Sequence, residues 1–132
     1  MMNIAAVCGS FHKEEIERML EYAKNEAEIR GAEISQIIWV PGSMEVPLAL
    51  ERILRIEEVD AAIALGIIER GETQHGLVIG QAVTKSILEL QIKHNKPIGL
   101  GIIGPGTEKH HIEPRLEPHA RTAVDAVIKM SK

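Results

Sequence analysis

The sequence predicts an α/β fold: a single-domain, three-layer sandwich in which a four-stranded parallel sheet lies between helices. Short, solid apolar runs alternate with longer segments whose apolar residues recur at helical spacing. Runs that are apolar on both faces and separated by helices are typical of a parallel sheet covered on both sides. The 132 residues, 45% of them apolar, suit one domain spanning residues 1–132, and no linker or internal repeat divides them.

The first strand and the first helix are predicted at residues 4–7 and 13–29. The strand is a short apolar run that Gly9 interrupts. The helix carries its apolar residues along one face, at Ile16, Met19, Leu20, Ala23 and Ala27. Gly31 then stands where a glycine commonly ends a helix, so the helix should stop just before it.

The second strand and the second helix are predicted at residues 34–40 and 45–56. A Pro-Gly pair stops the strand. Pro47 is compatible with a helix only in the first turn, so this helix should begin near Ser43 or Met44.

The third and fourth strands are predicted at residues 61–68 and 98–103. A Gly-Pro-Gly sequence should end the fourth strand. The last segment, residues 107–130, is predicted to be helical with interruptions at Pro114 and Pro118. The element order is therefore βαβαβαβα, for which right-handed crossovers are expected.

The third helix, residues 75–94, indicates a homo-oligomer. Its apolar residues are spread around most of the circumference. A helix that covers one face of a small sheet needs only one apolar stripe, so the excess indicates a second buried face formed with another copy. The alternative is a helix wedged deeply inside a monomer.

Composition argues against several classes of protein. The formal charge is −4, both signs are interspersed, and no basic stripe with interleaved aromatic residues suggests a nucleic-acid partner. No segment approaches the ~20 apolar residues of a membrane span, and no secretory leader is recognisable. Cys8 stands alone, so no internal disulfide forms, which fits a reducing compartment. The expectation is a cytoplasmic protein.

Chemistry is expected where the loops that follow the four strands converge, because parallel α/β sheets bind ligands at the carboxyl ends of their strands. Residues 65–75 read Leu-Gly-Ile-Ile-Glu-Arg-Gly-Glu-Thr-Gln-His and join the third strand to the third helix. His75 at the helix start would be disfavoured in its charged form by the helix dipole, which suits proton exchange. The alternative is a surface or capping histidine.

The same loop and the loop after the second strand offer further polar groups with structural alternatives. Glu72 and Thr73 precede a helix and could cradle an anion with backbone amides and a hydroxyl, although an ordinary capping loop has the same composition. Ser43 could cap the second helix. Glu45 could complement the helix dipole there, or accept hydrogen bonds from ligand hydroxyls.

Several remaining residues invite a functional interpretation. Phe11 is the only phenylalanine and lies in a loop, where its ring could stack on a flat ligand. Arg115 and Arg121 could bind phosphate, although most such arginines pair with nearby surface carboxylates. Three histidines are clustered near the end of the chain, but no cysteine or aspartate pattern accompanies them and no metal site is predicted: His110, His111 and His119.

Four blocks of the sequence together resemble the 6,7-dimethyl-8-ribityllumazine synthase family, and the likeness covers nearly the whole chain. The blocks are residues 9–11, 39–47 and 65–75, and 97–101 with Arg115 beyond. The second and third blocks carry the specificity. The Gly-Glu-Thr-x-His form and the Gly-Pro-Gly sequence are most similar to archaeal members.

The resemblance implies a reaction and roles for the pyrimidine-binding residues. The family condenses 5-amino-6-(D-ribitylamino)uracil with 3,4-dihydroxy-2-butanone 4-phosphate and requires no cofactor or metal. Phe11 would stack on the pyrimidine, and Glu45 would bind ribityl hydroxyls. The other implied contacts to this substrate are Ser43, Met44, Ile67, Ile68, Glu69 and Leu100. Met44 and Leu100 stand where many members have phenylalanine, so affinity for this substrate could differ.

The resemblance also implies the phosphate site and the assembly. Glu72, through its backbone, and Thr73 would bind the phosphate of the butanone substrate, and His75 would donate and accept protons. Leu100 and Arg115 would come from a neighbouring subunit of a pentamer-based homo-oligomer, with Arg115 on the phosphate. Two alternatives stay open at this point: an archaeal-type riboflavin synthase and a flavodoxin-like flavin-binding or electron-transfer protein.

Overall fold

The computed structural model describes residues 1–131 and confirms the predicted α/β sandwich. Four parallel strands lie in the order β2-β1-β3-β4, the order of a flavodoxin-like fold. The strands are β1 (Met2–Gly9), β2 (Ala32–Val40), β3 (Ala61–Glu69) and β4 (Ile98–Thr107). The helices are α1 (Lys13–Ile29), α2 (Val46–Leu54), α3 (His75–His94), α4 (Lys109–Ile112) and α5 (Leu116–Lys129).

The sheet separates two hydrophobic clusters. Successive residues of β1 point to opposite faces, so Ile4 and Ala6 join the cluster beneath α1 and α5, while Ala5 and Val7 join the cluster beneath α2 and α3. The central strands β1 and β3 are buried on both sides as a result. Burial of Cys8 raises the pKa of its thiol to about 12, so this cysteine is unreactive at neutral pH.

The predicted bounds agree best with the observed bounds for helices that were predicted from the spacing of apolar residues. The first and third helices span the predicted residues, and Gly31 has the positive φ of 77° expected after a helix. Both β1 and β2 begin two residues earlier than predicted, and β1 continues to Gly9. The added residues include Asn3, Gly9 and Glu33, which are polar or lack a side chain. Backbone pairing therefore extends the strands beyond the apolar runs from which they were predicted.

The prediction that a Gly-Pro-Gly sequence ends the fourth strand is wrong. The backbone of β4 bends at Gly104 and Gly106, which have φ values of 104° and 83°. The register with β3 shifts there, and pairing resumes between Thr107 and Glu69. Glycine tolerates this left-handed conformation, so the strand passes through a sequence that ordinarily interrupts pairing.

The final segment also differs from its prediction. A 3-10 turn, Glu113–Arg115, separates α4 from α5 and contains Pro114, as expected of a proline interruption. The second predicted interruption is wrong, because Pro118 lies in the first turn of α5. The amides of that turn have no intrahelical acceptor, so a missing N–H costs nothing there.

Another 3-10 turn, Ser43–Glu45, leads into α2.

The structure shows that the third helix is not wedged deeply inside its own chain. Only three residues of α3 are buried: Gly80, Val83 and Ile87. Four large apolar residues are 44–78% exposed: Leu77, Val78, Leu88 and Ile92. Their spacing places them within a sector of about 100° on the outward side of the helix.

None of the helices in the described part of the chain combines the length and hydrophobicity that a membrane crossing requires.

Candidate active site

The loops after β1, β2 and β3 converge on a cleft of about 620 Å³ at the carboxyl edge of the sheet. This is the edge at which the sequence predicted chemistry. The predicted site residues that line the cleft are Phe11, Ser43, Met44, Glu45, Ile67, Ile68, Glu69, Thr73 and His75. The structure therefore brings together most of a set that is scattered along 65 positions, 11–75, of the chain.

The loop after β1 presents Phe11 at the rim of the cleft. The ring is 69% exposed, so Phe11 is not a core residue. It packs on the backbone of Gly42, where an added Cβ would lie 2.9 Å from Phe11 Cε2. The Ser10 hydroxyl fixes the start of this loop by donating to the Val40 carbonyl oxygen at 2.8 Å. A flat apolar surface is thus held open to a ligand.

The loop after β2 is the 3-10 turn Ser43–Glu45. Ser43 does not cap a helix: Gly42 precedes the turn, and no side chain caps it. The predicted capping role is therefore wrong. The hydroxyl of Ser43 instead lies above Gly66 of β3. Met44 is 66% exposed, and Glu45 has no ion pair within residues 1–131, so its carboxylate is available to a ligand.

The loop after β3 is fixed at both ends. The Arg70 amide donates to the Thr107 carbonyl oxygen at 2.7 Å, and the His75 amide donates to Thr73 Oγ1 at 3.3 Å. Gln74 precedes α3 without capping it through its side chain, so amides of the first turn still lack acceptors. A helix start of this kind is suited to an anion.

A smaller hollow of about 220 Å³ adjoins this loop. Gly71, Thr73 and Gly76 line one side, and Pro105 and Gly106 of β4 line the other. The side chain of Glu72 lines neither this hollow nor the cleft. The structure therefore does not bring Glu72, a predicted phosphate-binding residue, into either space.

His75 is the first residue of α3, and it is exposed at the cleft. Within the described chain its imidazole has no hydrogen-bonding or ionic partner. The ring does not cap α3, because only its backbone amide bonds to the loop. An unpartnered imidazole in a cleft can accept a proton from a bound molecule and return it.

Leu100 and Arg115 lie outside the cleft of their own chain. Leu100 is 43% exposed on β4, the edge strand. Arg115 is exposed on its 3-10 turn and donates through Nη1 to the His111 carbonyl oxygen at 3.1 Å. It has no carboxylate partner among residues 1–131, so the expected surface pairing is wrong for this residue.

Arg121, by contrast, does pair with carboxylates. Its Nε lies 2.8 Å from Glu117 Oε2, and its Nη1 lies 3.0 Å from Glu26 Oε1. The guanidinium also lies over the Tyr22 ring, 5.7 Å from the centroid. These contacts occupy the group and hold it on the α1–α5 side of the molecule.

The structure adds a cleft residue that the sequence reasoning missed. His12 lines the cleft beside Phe11, and its Nε2 lies 2.7 Å from Glu69 Oε1. Position alone could have suggested it, since it follows a strand and precedes a helix. The partner could not have been found from the sequence, because Glu69 lies 57 residues away.

The histidine cluster forms a capping box rather than an open set of ligands. Potential ligand atoms of Glu108, His110 and His111 lie within 4.8 Å of one another. However, His111 Nδ1 accepts the Glu108 amide at 3.0 Å, and the Glu108 side chain accepts the His111 amide. The neutral ring then carries its proton on Nε2, so His111 has no free lone pair.

Burial and the nearby charge of Arg115 lower the pKa of His119.

The fold and the cleft define a class: α/β proteins that bind a small molecule at the carboxyl edge of a parallel sheet. The family profile described as 6,7-dimethyl-8-ribityllumazine synthase matches residues 1–132. The chain belongs to this family, as its resemblance in the four sequence blocks predicted.

Relatives named 6,7-dimethyl-8-ribityllumazine synthase match the chain along its length. One from Pyrobaculum arsenaticum is 36% identical over 132 residues, covering 100% of this chain and 88% of the relative. One from Picrophilus torridus is 36% identical over 132 residues, covering 100% and 96%. One from Methanobrevibacter smithii is 38% identical over 128 residues, covering 97% and 92%. These organisms are archaea, in agreement with the type of member predicted.

Proposed function

We propose that the chain condenses 5-amino-6-(D-ribitylamino)uracil with 3,4-dihydroxy-2-butanone 4-phosphate in riboflavin biosynthesis. The product is 6,7-dimethyl-8-ribityllumazine, and inorganic phosphate is released. The observation that carries this proposal is the convergence of three separate loops on one cleft in a chain of this family. The cleft combines an exposed ring, carboxylates, an imidazole and an open helix start, which match the chemistry of the two substrates.

The pyrimidine substrate is assigned to the part of the cleft between Phe11 and β3. Phe11 offers a face for stacking on the heterocycle. Backbone groups of Ile67, Ile68 and Glu69 lie at the strand end, where they can pair with the polar edge of the ring. Glu45 has an unpaired carboxylate for ribityl hydroxyls, and Ser43 and Met44 complete that wall.

The phosphate of the second substrate is assigned to the hollow beside the start of α3. Backbone amides of Gly71 and Thr73, the Thr73 hydroxyl and the helix start all favour an anion there. Arg115 would complete the charge balance from a neighbouring subunit. Its guanidinium has no carboxylate partner in its own described chain, which leaves it available for that contact.

His75 is assigned the proton transfers. The amino group of the pyrimidine substrate attacks the butanone carbonyl, and loss of water gives a Schiff base. Removal of a proton from the adjacent carbon accompanies loss of phosphate, and ring closure releases a second water. His75 lines the cleft, and its neighbours Thr73 and Gly76 line both the cleft and the phosphate hollow, so one imidazole can serve these steps in turn.

The assembly is a further part of the proposal. Leu100 and Arg115 lie outside the cleft of their own chain, so they can contact substrate only across a subunit interface. The exposed apolar stripe of α3 provides a face for such an interface. We infer a pentamer-based homo-oligomer, with each cleft completed by its neighbour.

The alternatives fit the cleft less well. A flavodoxin-like electron carrier needs aromatic residues on both sides of a flavin, whereas Phe11 is the only aromatic residue in this cleft apart from histidines. An archaeal-type riboflavin synthase shares the fold but carries out different chemistry. The family profile and the relatives' names favour lumazine synthase over both.

The decisive experiment is to incubate the purified protein with both substrates. Formation of 6,7-dimethyl-8-ribityllumazine, followed by absorbance and confirmed by mass, is the expected result, with one phosphate released per product. Protein heated until unfolded controls for the uncatalysed reaction. A rate equal to that control would refute the proposal, and conversion of the lumazine itself to riboflavin would indicate riboflavin synthase.

A further inference from the structure

A histidine–glutamate pair lines the cleft, and its side chains have no role in the function proposed above. His12 Nε2 lies 2.7 Å from Glu69 Oε1. The two residues come from adjacent strands, since His12 follows β1 and Glu69 ends β3. Both line the same cleft as His75.

Fold stability does not account for this pair. The side chains of His12 and Glu69 are 33% and 40% exposed. Ion pairs with this exposure contribute little to stability, because solvent screens them. His12 also has a left-handed backbone, with φ 58° and ψ 49°. A non-glycine residue in this conformation is strained, so the contact does not offset the cost of the backbone on which it depends.

The pair leaves acceptor capacity facing the cleft. An ionised carboxylate has about four lone-pair sites. His12 lies against Oε1 of Glu69, and no side chain within residues 1–131 is close enough to pair with Oε2. Glu45 is the other carboxylate that lines the cleft, and it belongs to the β2 loop. A ligand bound at the end of β3 therefore meets a fixed acceptor beside the backbone of Ile67 and Ile68.

The aminopyrimidine substrate has the complementary chemistry, because its ring and exocyclic nitrogens carry several N–H groups. We propose that Glu69 is a specificity-determining residue that accepts a hydrogen bond from an N–H group of this substrate, and that His12 is the positioning residue that holds its carboxylate. This inference rests on the proposed function and adds a side-chain contact to the backbone contacts already assigned at the strand end.

The test compares binding of the ribitylaminouracil substrate alone by titration calorimetry. Glu69→Leu keeps the size of the side chain and removes the acceptor, and it should weaken binding by roughly 10-fold or more, as expected for a hydrogen bond to a charged group. His12→Asn tolerates the left-handed backbone and removes the imidazole, and it should weaken binding by about 3-fold to 5-fold. Glu14→Gln removes an exposed carboxylate outside the cleft and should bind like the wild type.

The double variant separates a positioning role from an independent one. If His12 acts through Glu69, adding His12→Asn to Glu69→Leu should weaken binding no further. The apparent KM for the butanone phosphate should change less than the affinity for ribitylaminouracil, because the proposed hydrogen bond goes to an N–H group of ribitylaminouracil, although Glu69 also lines the phosphate hollow. A general loss of structure would move both substrates together and would also lower the midpoint of urea unfolding.

Two results would overturn the inference. One is binding of ribitylaminouracil by Glu69→Leu within 2-fold of the wild type, and the other is multiplicative effects in the double variant. Failure of the proposed function gives a different result, because the wild type itself would then neither bind ribitylaminouracil nor form the lumazine. Active wild type with unchanged Glu69→Leu affinity refutes only the role of this pair.

Discussion

The residues proposed for the site differ from chemically similar residues elsewhere because their side chains have polar groups without a partner. His75 has no side-chain partner in the described chain, whereas His94 contacts Glu51 at 2.8 Å and His111 belongs to a capping box. Arg115 lacks a carboxylate partner, while Arg121 has two. Unpaired donors and acceptors therefore distinguish the residues proposed for the site from the paired residues of the same type.

The assignment of proton transfer to His75 predicts a kinetic effect. His75→Ala should lower kcat for lumazine formation by about 10²-fold to 10⁴-fold, as is usual when a general acid or base is removed. His110→Ala, an exposed histidine outside the cleft, serves as the matched control and should keep wild-type kcat. An unchanged kcat in His75→Ala would remove this residue from the chemistry.

The assignment of Arg115 to phosphate predicts an effect on one substrate only. Arg115→Ala should weaken binding of 3,4-dihydroxy-2-butanone 4-phosphate by roughly 1.5–3 kcal/mol, the usual contribution of a charged hydrogen bond. Arg52→Ala, at an exposed position of α2 outside the cleft, is the control. The comparison is made by equilibrium titration at fixed ionic strength, and equal affinities would contradict the role.

At the scale of elements, a partly buried carboxylate ties α2 to α3. Glu51 on α2 contacts His94 at 2.8 Å and Lys93 at 3.0 Å, and Arg55 at 2.6 Å. These partners, led by the hydrogen bond with His94, hold the pKa of Glu51 at about 2, below its ordinary value of 4.5. The network ties the carboxyl end of α3 to α2, far from His75 at the start of the helix.

The lowered pKa of Glu51 predicts how stability depends on pH. The folded state favours the ionised carboxylate, so its contribution is present above about pH 4.5 and is lost as the pH falls towards 2. Glu51→Gln should therefore be less stable than the wild type at pH 7, and the difference should narrow below pH 4.5. Urea unfolding at several pH values measures this, with the exposed Glu57→Gln as control. A difference independent of pH would refute it.

Close packing of β4 on α5 predicts a second effect at this scale. A Cβ added to Gly99 would overlap the backbone carbonyl of Ala123, which cannot move without displacing α5. Gly99→Ala should lower the free energy of unfolding by about 3 kcal/mol, at the upper end of usual overpacking costs. Gly71→Ala, whose Cβ would meet no atom within 4 Å, is the control. Equal urea midpoints for both variants would contradict the packing argument.

At the scale of the whole molecule, the chain has an outward apolar stripe and two proposed ligand-binding residues outside its own cleft. The stripe of α3 and the positions of Leu100 and Arg115 make the same prediction, an assembly in which neighbours complete each other's site. Burial of this stripe would also explain why α3 carries more apolar surface than the sheet requires.

Charge placed in the stripe should break the assembly. Leu88→Glu should reduce the mass measured by light scattering from that of an oligomer towards 14.5 kDa, because an unpaired carboxylate is costly to bury. Lumazine formation should fall with it, since Leu100 and Arg115 would be lost from each cleft. Ile29→Glu, at an exposed isoleucine on α1, is the matched control. A wild type that is monomeric at assay concentration would refute the assembly.

The sequence by itself determined the order of elements, the sheet edge that carries the candidate site, and three of the four loops predicted to meet there; residues 104–107 belong to β4 and do not line the cleft. These follow from local rules: apolar runs make buried strands, helical spacing makes α1 and α3, and parallel strands bring their carboxyl ends to one edge. The resemblance of four blocks to one family supplied the substrates. Sequence patterns gave the wrong prediction at Gly104, where the strand bends but continues, and at Pro118, where the proline lies in the first turn of a helix.

Only the tertiary structure decided which polar groups are occupied and which are free. The pairing of Arg121 with Glu26, the capping box of Glu108 with His111, and the contact between His12 and Glu69 join residues whose spacing along the chain gives no signal, or one that equally fits other roles. Such contacts depend on distances of a few ångströms between elements, and helical or strand periodicity does not encode them. For that reason the sequence could identify the cleft, whereas the structure was needed to find the carboxylate that His12 holds within it.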